Sequence, residues 1–193
     1  MKYYAIKKGV KNGIFTSWDE CKEYVQKYNG AIFKSFSTLE EAKDYLNDIS
    51  TYEVDSNMPT AYVDGSFDKK TGDYSFGAIL LIDNNKYTFK KKFSSDNYSF
   101  AHNVAGEIRG ASFIISYAIK NGIKTLDLFY DYQGIESWYT GDWKANNILT
   151  QKYQEFANES KDKIKVNFHK VKSHTGVKYN EEVDLLAKEA LGI

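Results

Sequence analysis

The segment Tyr62-Val63-Asp64-Gly65-Ser66 begins as an apolar strand and ends in an acidic residue followed by turn-forming residues. Asp and Gly are common in turns, so this segment alone specifies no chemistry. Three more acidic residues occur in comparable settings: Glu107 opens a predicted helix, Asp131 follows a predicted strand and Asp184 lies on a predicted C-terminal helix. Four acids on separate elements predict a carboxylate cluster that binds divalent metal ions. We therefore expect an enzyme that acts on a phosphodiester.

The composition fits a globular chain and narrows the kinds of metal site. Of the 193 residues, 42% are hydrophobic and 27% are charged, shares that are ordinary for folded domains. Cys21 is the only cysteine, which excludes an internal disulfide and suits a reducing cytoplasm. One cysteine and three histidines argue against structural zinc, so a metal should have oxygen ligands. No signal peptide or membrane-spanning run is evident, and we expect a cytoplasmic protein without membrane contact.

The charges are unevenly distributed along the sequence. The formal net charge is zero, which argues weakly against nucleic-acid binding, although distribution matters more than the sum. The lysines form three clusters, at Lys2, Lys7, Lys8 and Lys11, at Lys86, Lys90, Lys91 and Lys92, and at Lys161, Lys163, Lys165, Lys170, Lys172 and Lys178. Each cluster fits a solvated face as well as a binding surface. Their occurrence beside a candidate metal site favours a polyanionic ligand.

Residues 1–47 are predicted to form a small α+β domain. Strands are predicted over 2–8 and 31–36, and a third is suggested around Phe15. Two helices are each predicted to begin with a capping box, the first at Ser17 with Glu20 and running to about Tyr28, the second at Thr38 with Glu41 and running to about Leu46.

Residues 59–193 are predicted to form an α/β domain, after a linker over 48–58 that lacks hydrophobic periodicity. Five strands are predicted, the second and third as a hairpin, over 60–64, 75–82, 86–93, 125–130 and 164–171. Four helices are predicted, over 104–121, 134–139, 147–160 and 181–191. This order predicts a mixed five-stranded sheet with helices on both faces.

The predicted positions of the four acids would bring them together. Asp64 and Asp131 end strands, and ligand sites in α/β sheets gather beyond strand ends. Glu107 and Asp184 lie in predicted first helical turns, where the helix dipole favours a negative charge. Singly, each is an ordinary turn or helix-start acid. Together they would repel unless cations neutralise them, and two Mg²⁺ ions about 3.5–4 Å apart could clamp both oxygens of an in-line phosphoryl displacement.

Four segments resemble those of type 1 ribonuclease H, in that family's order and approximate spacing over residues 60–193. They are Tyr62-Val63-Asp64-Gly65-Ser66, Asn103-Val104-Ala105-Gly106-Glu107, Tyr130-Asp131-Tyr132-Gln133-Gly134-Ile135, and Lys172-Ser173-His174-Thr175-Gly176 with Asn180-Glu181-Glu182-Val183-Asp184. The resemblance implies a ribonuclease H-like fold. It also implies two-metal-ion hydrolysis of the RNA strand of RNA–DNA hybrids, giving 3′-hydroxyl and 5′-phosphate ends.

The same resemblance implies roles for single residues. It assigns catalysis and metal ligation to the four acids, with Asp64 bridging two Mg²⁺ ions, and Mn²⁺ is an alternative. His174 is similar to a mobile catalytic histidine that assists proton transfer or product release. Asn103 matches a residue that contacts the RNA 2′-hydroxyl, and Asn180 is assigned to substrate binding.

Two positions depart from the family pattern. Tyr132 stands where the residue after the third Asp is usually Ser, which leaves the local hydrogen bonding open. Between Trp138 and Tyr153 there is little room for the basic helical protrusion of some members, and residues 141–146 fill this gap instead.

The N-terminal residues 2–46 resemble the hybrid-binding, viroplasmin-like domain that precedes some ribonucleases H. The matching segments are Tyr4-Ala5-Ile6-Lys7-Lys8-Gly9, Gly13-Ile14-Phe15, Trp18, Cys21, and Phe33-Lys34-Ser35-Phe36 with Glu41-Ala42. The resemblance implies that Trp18 and Phe33 pack against deoxyriboses, Lys34 meets a phosphate and Tyr4 lies near the RNA. Aromatic side chains beside lysines suit such contacts. The alternative is that Trp18 and Phe33 belong to the domain core, where we also expect Cys21.

The leading hypothesis is thus a two-domain ribonuclease H whose partner is an RNA–DNA hybrid and which acts as a monomer. One alternative is a related nuclease of the same superfamily that cuts DNA. Another is a non-catalytic hybrid-binding protein, against which the complete set of four acids argues.

Overall fold

The computed structural model describes residues 2–47, 58–171 and 178–193. The described residues divide into two compact units, an N-terminal one over 2–47 and a larger one over 58–171 and 178–193. The predicted linker over 48–58 falls almost wholly outside the described residues. Among the residues that the structure does describe, none of the helices has the length and apolar character needed to cross a membrane.

The N-terminal unit is a three-stranded antiparallel sheet with two helices. Its elements are β1 (Tyr3–Lys8), β2 (Gly13–Phe15), α1 (Trp18–Val25), β3 (Ile32–Phe36) and α2 (Leu39–Asn47). The strand order is β2-β1-β3, which confirms the strand suggested around Phe15. Side chains on successive residues of β1 point to opposite faces, so Ile6 packs with Phe15, Cys21 and Val25 on one face. Ala5 packs with Ala42 and Tyr45 on the other.

The two predicted helix starts of this unit differ in outcome. The Thr38 capping box forms, because the Glu41 N–H donates to Thr38 Oγ1 at 3.2 Å and the Thr38 N–H donates to Glu41 Oε2 at 3.2 Å. The Ser17 capping box was wrong, because the Ser17 side chain makes no capping hydrogen bond and only its carbonyl accepts from Cys21. The first helix also ends at Val25 rather than near Tyr28, where the chain turns instead.

The larger unit has the predicted α/β order. Its elements are β4 (Thr60–Phe67), β5 (Tyr74–Ile82), β6 (Asn85–Phe93), α3 (Asn103–Lys120), β7 (Thr125–Tyr130), α4 (Gly134–Thr140), α5 (Ile148–Ser160), β8 (Lys165–Lys170) and α6 (Lys178–Leu191). The sheet order is β6-β5-β4-β7-β8, with the first three strands antiparallel and β7 and β8 parallel to β4. The mixed five-stranded sheet with flanking helices is confirmed.

Two helices cover opposite faces of the central strands β4 and β5. Gly65 is paired with Phe76, and Asp64 with Gly77, so these two pairs point to opposite faces. The face of Gly65 and Phe76 contacts α3, and the face of Asp64 and Gly77 contacts α6. The main hydrophobic core lies on the α3 face.

Two predicted helix boundaries need correction, and both bear on the acids. Helix α3 begins at Asn103 and α6 is described from Lys178, one and three residues earlier than predicted. Glu107 is therefore the fifth residue of its helix and Asp184 the seventh of the described helix, so neither lies in a first turn. Their negative charges gain little from the helix dipoles, whose effect fades beyond the first turn.

Candidate metal centre

Glycines allow helix α3 to approach the sheet closely enough to place Glu107 near Asp64. A Cβ atom added at Gly106 would lie 1.9 Å from the carbonyl oxygen of Ser75, and one added at Gly65 would lie 2.2 Å from that of Asn103. Helix and strand backbones are thus in direct contact at these two positions, where only a hydrogen fits. This contact fixes the start of α3 over the end of β4.

A third glycine makes the same kind of contact on the opposite face. Gly77 is paired with Asp64 in the sheet, and a Cβ atom added there would lie 2.2 Å from the carbonyl oxygen of Val183 in α6. Ser75 Oγ also donates to the Ala187 carbonyl at 2.6 Å. These contacts bring Asp184, the residue after Val183, to the strand position of Asp64.

The third acid reaches the site through a parallel strand. Residues Tyr62 of β4 and Phe129 of β7 are register partners, and Asp64 and Asp131 each follow two residues later. The parallel pairing of β4 with β7 stops at these partners, so both carboxylates lie just beyond the same end of it. Asp131 follows the end of β7 as predicted, but the prediction that Asp64 ends its strand was wrong, because β4 continues to Phe67 through its antiparallel pairing with β5.

The structure brings three of the four predicted acids into one cluster. Carboxylate oxygens of Asp64, Glu107 and Asp131 all lie within 4.8 Å of one another. Glu107 is 2% exposed, whereas Asp64 and Asp131 are partly exposed. Asp184 is not a member of this cluster, although, after burial and the charge of Asp131, its charge also raises the pKa of Asp64. Its Oδ2 accepts a hydrogen bond from Lys188 Nζ at 2.7 Å.

The electrostatics of the cluster reflect crowded negative charge. Burial, followed by the charge of Asp131, raises the pKa of Asp64 to about 7. The Gly65 N–H, which donates to Asp64 Oδ1 at 2.7 Å, and the charge of Lys188 act in the opposite direction on this pKa. Burial and the charges of Asp131 and Asp64 raise the pKa of Glu107 well above its usual value. A cation in the cluster would relieve this repulsion.

Tyr132 occupies the position where Ser is usual, and its ring belongs to a cluster of three aromatic side chains. Its ring centroid lies 5.8 Å from that of Trp138 and 6.5 Å from that of Trp143, and the two Trp rings are 5.7 Å apart. Burial and the charge of Glu107 raise the pKa of Tyr132. Tyr132 therefore places an aromatic ring beside the acids, where Ser would place only a small hydroxyl group. The packing of these three rings was not predicted from the sequence.

The remaining predicted residues of the larger unit differ in their settings. Asn103 is exposed, and its Nδ2 donates to Glu107 Oε1 at 3.1 Å. Asn180 is buried at 6% exposure in the first turn of α6. His174 lies outside the described residues, so its predicted role stays a prediction.

The aromatic residues assigned to hybrid binding in the N-terminal unit lie next to one another, and two of them are exposed. Trp18 is 40% exposed and Phe33 is 41% exposed. The Trp18 ring centroid lies 5.5 Å from that of Tyr4 and 5.6 Å from that of Phe33. The alternative that Trp18 and Phe33 belong to the core is therefore wrong. Lys34 lies on the opposite face of β3 from Phe33, with its Nζ 5.8 Å from the Phe36 ring.

The lysine cluster of β6 is largely occupied by ion pairs. Its pairs within the described residues are Lys86 with Glu182 at 2.6 Å, Lys90 with Glu189 at 2.9 Å, and Lys92 with Asp73 at 2.7 Å. Three of the four lysines thus already face a carboxylate, while Lys91 Nζ lies 5.2 Å from the centroid of the Phe93 ring, and this favours the solvated-face alternative for the cluster. Charges along an edge strand also discourage pairing with another sheet.

Comparisons with known proteins match both units. Residues 2–46 match the family model of the ribonuclease H1 N-terminal domain, and residues 56–192 match that of RNase H. A ribonuclease H of Pseudoalteromonas translucida is 32% identical over 141 residues, which cover 68% of this chain and 88% of the relative. A ribonuclease H of Saccharomyces cerevisiae is 45% identical over 49 residues, 25% of this chain. The chain spans only 14%, 9% and 21% of the first three curated relatives.

Solved structures share the fold of the larger unit. RNase H1 from the halophilic archaeon Halobacterium salinarum NRC-1 superposes with a TM-score of 0.58 and 23% identity, covering 70% of this chain and 98% of that one. LC11-RNase H1 in complex with an RNA/DNA hybrid superposes with a TM-score of 0.53 and 16% identity, covering 68% and 95%. Together with the match over most of its length, these findings establish that the chain belongs to the ribonuclease H family.

Proposed function

We propose that this protein is a metal-dependent endoribonuclease that hydrolyses the RNA strand of RNA–DNA hybrids. The observation that carries the proposal is that carboxylate oxygens of Asp64, Glu107 and Asp131 lie within 4.8 Å of one another in a chain of the ribonuclease H family. The hybrid bound by LC11-RNase H1, which has the same fold, supports this choice of substrate. The products would carry 3′-hydroxyl and 5′-phosphate ends.

The acid cluster fits a site for two divalent ions. Its donors are carboxylate oxygens, the ligands that Mg²⁺ prefers, and burial together with their mutual repulsion raises the pKa of Asp64 and of Glu107. Asp64, Glu107 and Asp131 would hold the ions together with Asp184, and Asp64 would contact both. When bound, Mg²⁺ or Mn²⁺ supplies Lewis-acid stabilisation of the negative charge that develops on the phosphate.

The chain's own residues would position the substrate around these acids. Asn103 is exposed and its amide nitrogen donates to Glu107 at 3.1 Å, so its amide oxygen would be the atom that accepts from a 2′-hydroxyl. Such a contact distinguishes RNA from DNA without reading base sequence. The proposed roles of Asn180 in substrate binding and of His174 in proton transfer or product release rest on the family resemblance.

The N-terminal unit would bind the same hybrid. The exposed rings of Trp18 and Phe33 and the half-buried ring of Tyr4 form a continuous aromatic surface, which suits stacking on sugars or bases. Lys34 would neutralise a phosphate from the other face of the strand. A second binding unit on the same chain raises the effective concentration of substrate at the catalytic unit.

The test is a cleavage assay with the full chain on matched RNA–DNA hybrid, double-stranded RNA and double-stranded DNA, in Mg²⁺, in Mn²⁺ and with chelator. We expect metal-dependent cutting of the RNA strand of hybrid only. Asp64→Asn should abolish it. Asp73→Asn, at a surface acid paired with Lys92, should leave it intact.

Three results would contradict the proposal in different ways. Comparable cutting of the all-DNA duplex would indicate a nuclease with another substrate. Tight hybrid binding without any metal-dependent turnover would indicate a binding protein. Normal cleavage by Asp64→Asn would show that the site has been assigned to the wrong acids.

A further inference from the structure

One lysine lies directly against the acid site. Lys188 is one helical turn after Asp184 on α6, and its Nζ donates to Asp184 Oδ2 at 2.7 Å. An acid four residues before a lysine is the favourable order for such a pair on a helix. The side chains of Lys188 and Asp184 are 44% and 27% exposed, so the ammonium group can exchange this partner for water.

The position of Lys188 differs from that of Lys86, a lysine of β6 that also pairs with an acid on α6. Gly77 allows α6 to touch the strand opposite Asp64, so Lys188 acts electrostatically on Asp64 as well as on Asp184. By contrast, Lys86 pairs with Glu182 on the same helix at 2.6 Å, with side-chain exposures of 43% and 28%. The two ion pairs are closely matched in length and exposure, and only the pair of Lys188 includes an acid of the site.

We propose that Lys188 is an internal counter-ion of the site, which occupies Asp184 in the metal-free protein and weakens binding of the divalent ion that needs this carboxylate. The inference rests on the proposed function, because it takes Asp184 as a ligand. An ion that approaches Asp184 must break the pair at 2.7 Å and meets the like charge of the ammonium group. The three clustered acids would therefore bind one ion more tightly than Asp184 and Asp64 bind a second.

The size of the effect follows from the exposure of the pair. Ion pairs between exposed side chains contribute little, and their loss corresponds to a change of about two- to five-fold in an equilibrium constant. Removing the Lys188 charge should therefore tighten the weaker ion by about two- to five-fold. The weaker ion would then also leave more slowly, so that the lysine favours exchange of this ion between turnovers.

The experiment is a titration of the full chain with MnCl₂ in the absence of nucleic acid, with free Mn²⁺ measured by electron paramagnetic resonance. The variants are Lys188→Gln, the charge-conserving Lys188→Arg, and Lys86→Gln as the matched control. We expect Lys188→Gln to bind the second Mn²⁺ two- to five-fold more tightly than the natural sequence, by the ion-pair argument above. Lys188→Arg and Lys86→Gln should bind it as the natural sequence does.

Two outcomes would overturn the inference. Unchanged or weaker Mn²⁺ binding by Lys188→Gln would show that the lysine does not compete with the ion. An equal gain in Mn²⁺ affinity for Lys86→Gln would show that only the overall charge of the protein affects binding. Failure of the proposed function would give different results. Either Asp64→Asn would bind Mn²⁺ as the natural sequence does, or the natural sequence would leave hybrid uncut. Thermal unfolding of each variant confirms that it is folded.

Discussion

Replacing Asp64 by Asn should stabilise the metal-free protein while abolishing cleavage. Burial and the charge of Asp131 raise the pKa of Asp64 from 3.8 to about 7. Between these two pH values the folded state binds more protons than the unfolded state, so the free energy of unfolding falls as pH rises from about 4 to about 7. Above pH 7 the loss is complete. Asn does not titrate, so the Asp64→Asn variant does not lose this free energy of unfolding as pH rises.

The magnitude follows from the size of the pKa shift. A rise from 3.8 to about 7 is about three units, and each unit corresponds to about 1.4 kcal/mol. The upper bound is therefore about 4 kcal/mol. Asp64 is partly exposed, and water screens part of the repulsion, so we expect Asp64→Asn to gain about 1–3 kcal/mol at pH 8. For a chain of this size that is about 3–10 °C in melting temperature.

The assay is thermal unfolding of the full chain followed by circular dichroism at pH 8 and at pH 4.5, with chelator and with Mg²⁺. The gain should be largest at pH 8 with chelator. It should shrink at pH 4.5, where Asp64 is protonated, and in Mg²⁺, which stabilises the natural sequence by binding its folded state. Asp73→Asn is the control, and it should lower the melting temperature at pH 8, because hydrogen bonding to Lys92 lowers the pKa of Asp73 and its charged form stabilises the folded state.

A melting temperature of Asp64→Asn that is equal to or below that of the natural sequence, at pH 8 with chelator, would refute this reasoning. So would a gain of the same size at pH 4.5. Either result would mean that the carboxylate of Asp64 is not held in repulsion by the folded structure.

Three further predictions test the acid site and the aromatic surface. Mn²⁺ affinity, measured by calorimetry, should rise by about tenfold or more per pH unit below pH 7, because the ion displaces the proton of Asp64 and that of Glu107, whose pKa is also raised; a flat profile from pH 5.5 to 8 would contradict this. Gly106→Ala should destabilise the protein by about 3 kcal/mol or more in denaturant unfolding, since its Cβ would lie 1.9 Å from the Ser75 oxygen, whereas Gly110→Ala, whose Cβ would meet Phe76 at 3.1 Å, should cost less. Trp18→Ala should weaken hybrid binding in a fluorescence anisotropy titration without lowering the melting temperature, because Trp18 is 40% exposed. Phe15→Ala, at a core residue, should lower the melting temperature without weakening hybrid binding by the folded protein.

The sequence predicts most elements of this fold because their signals are local. Alternation and capping patterns locate the five strands of the larger unit and the Thr38 helix start. The parallel register of β4 and β7 brings Asp64 and Asp131 together, although Asp64 lies within β4 and not at its predicted end. The ion pairs of the β6 lysines could not be predicted, because Lys86 and Glu182 are 96 residues apart and meet only through the sheet register. The role of Lys188 had one local signal, its spacing of four residues from Asp184, but such pairs are common on helices.

The position of Asp64 depends on backbone contacts rather than on the carboxylates that surround it. Gly65 and Gly106 bring α3 into contact with one face of β4, and Gly77 brings α6 into contact with the other at the register position of Asp64. The acids repel one another when no cation is bound, and the close helix–strand packing must offset their repulsion. It follows that a carboxylate can be neutralised without moving the site, whereas one methyl group at Gly106 should displace Glu107 and leave every acid chemically intact. Comparing Asp64→Asn with Gly106→Ala therefore separates loss of charge from loss of geometry.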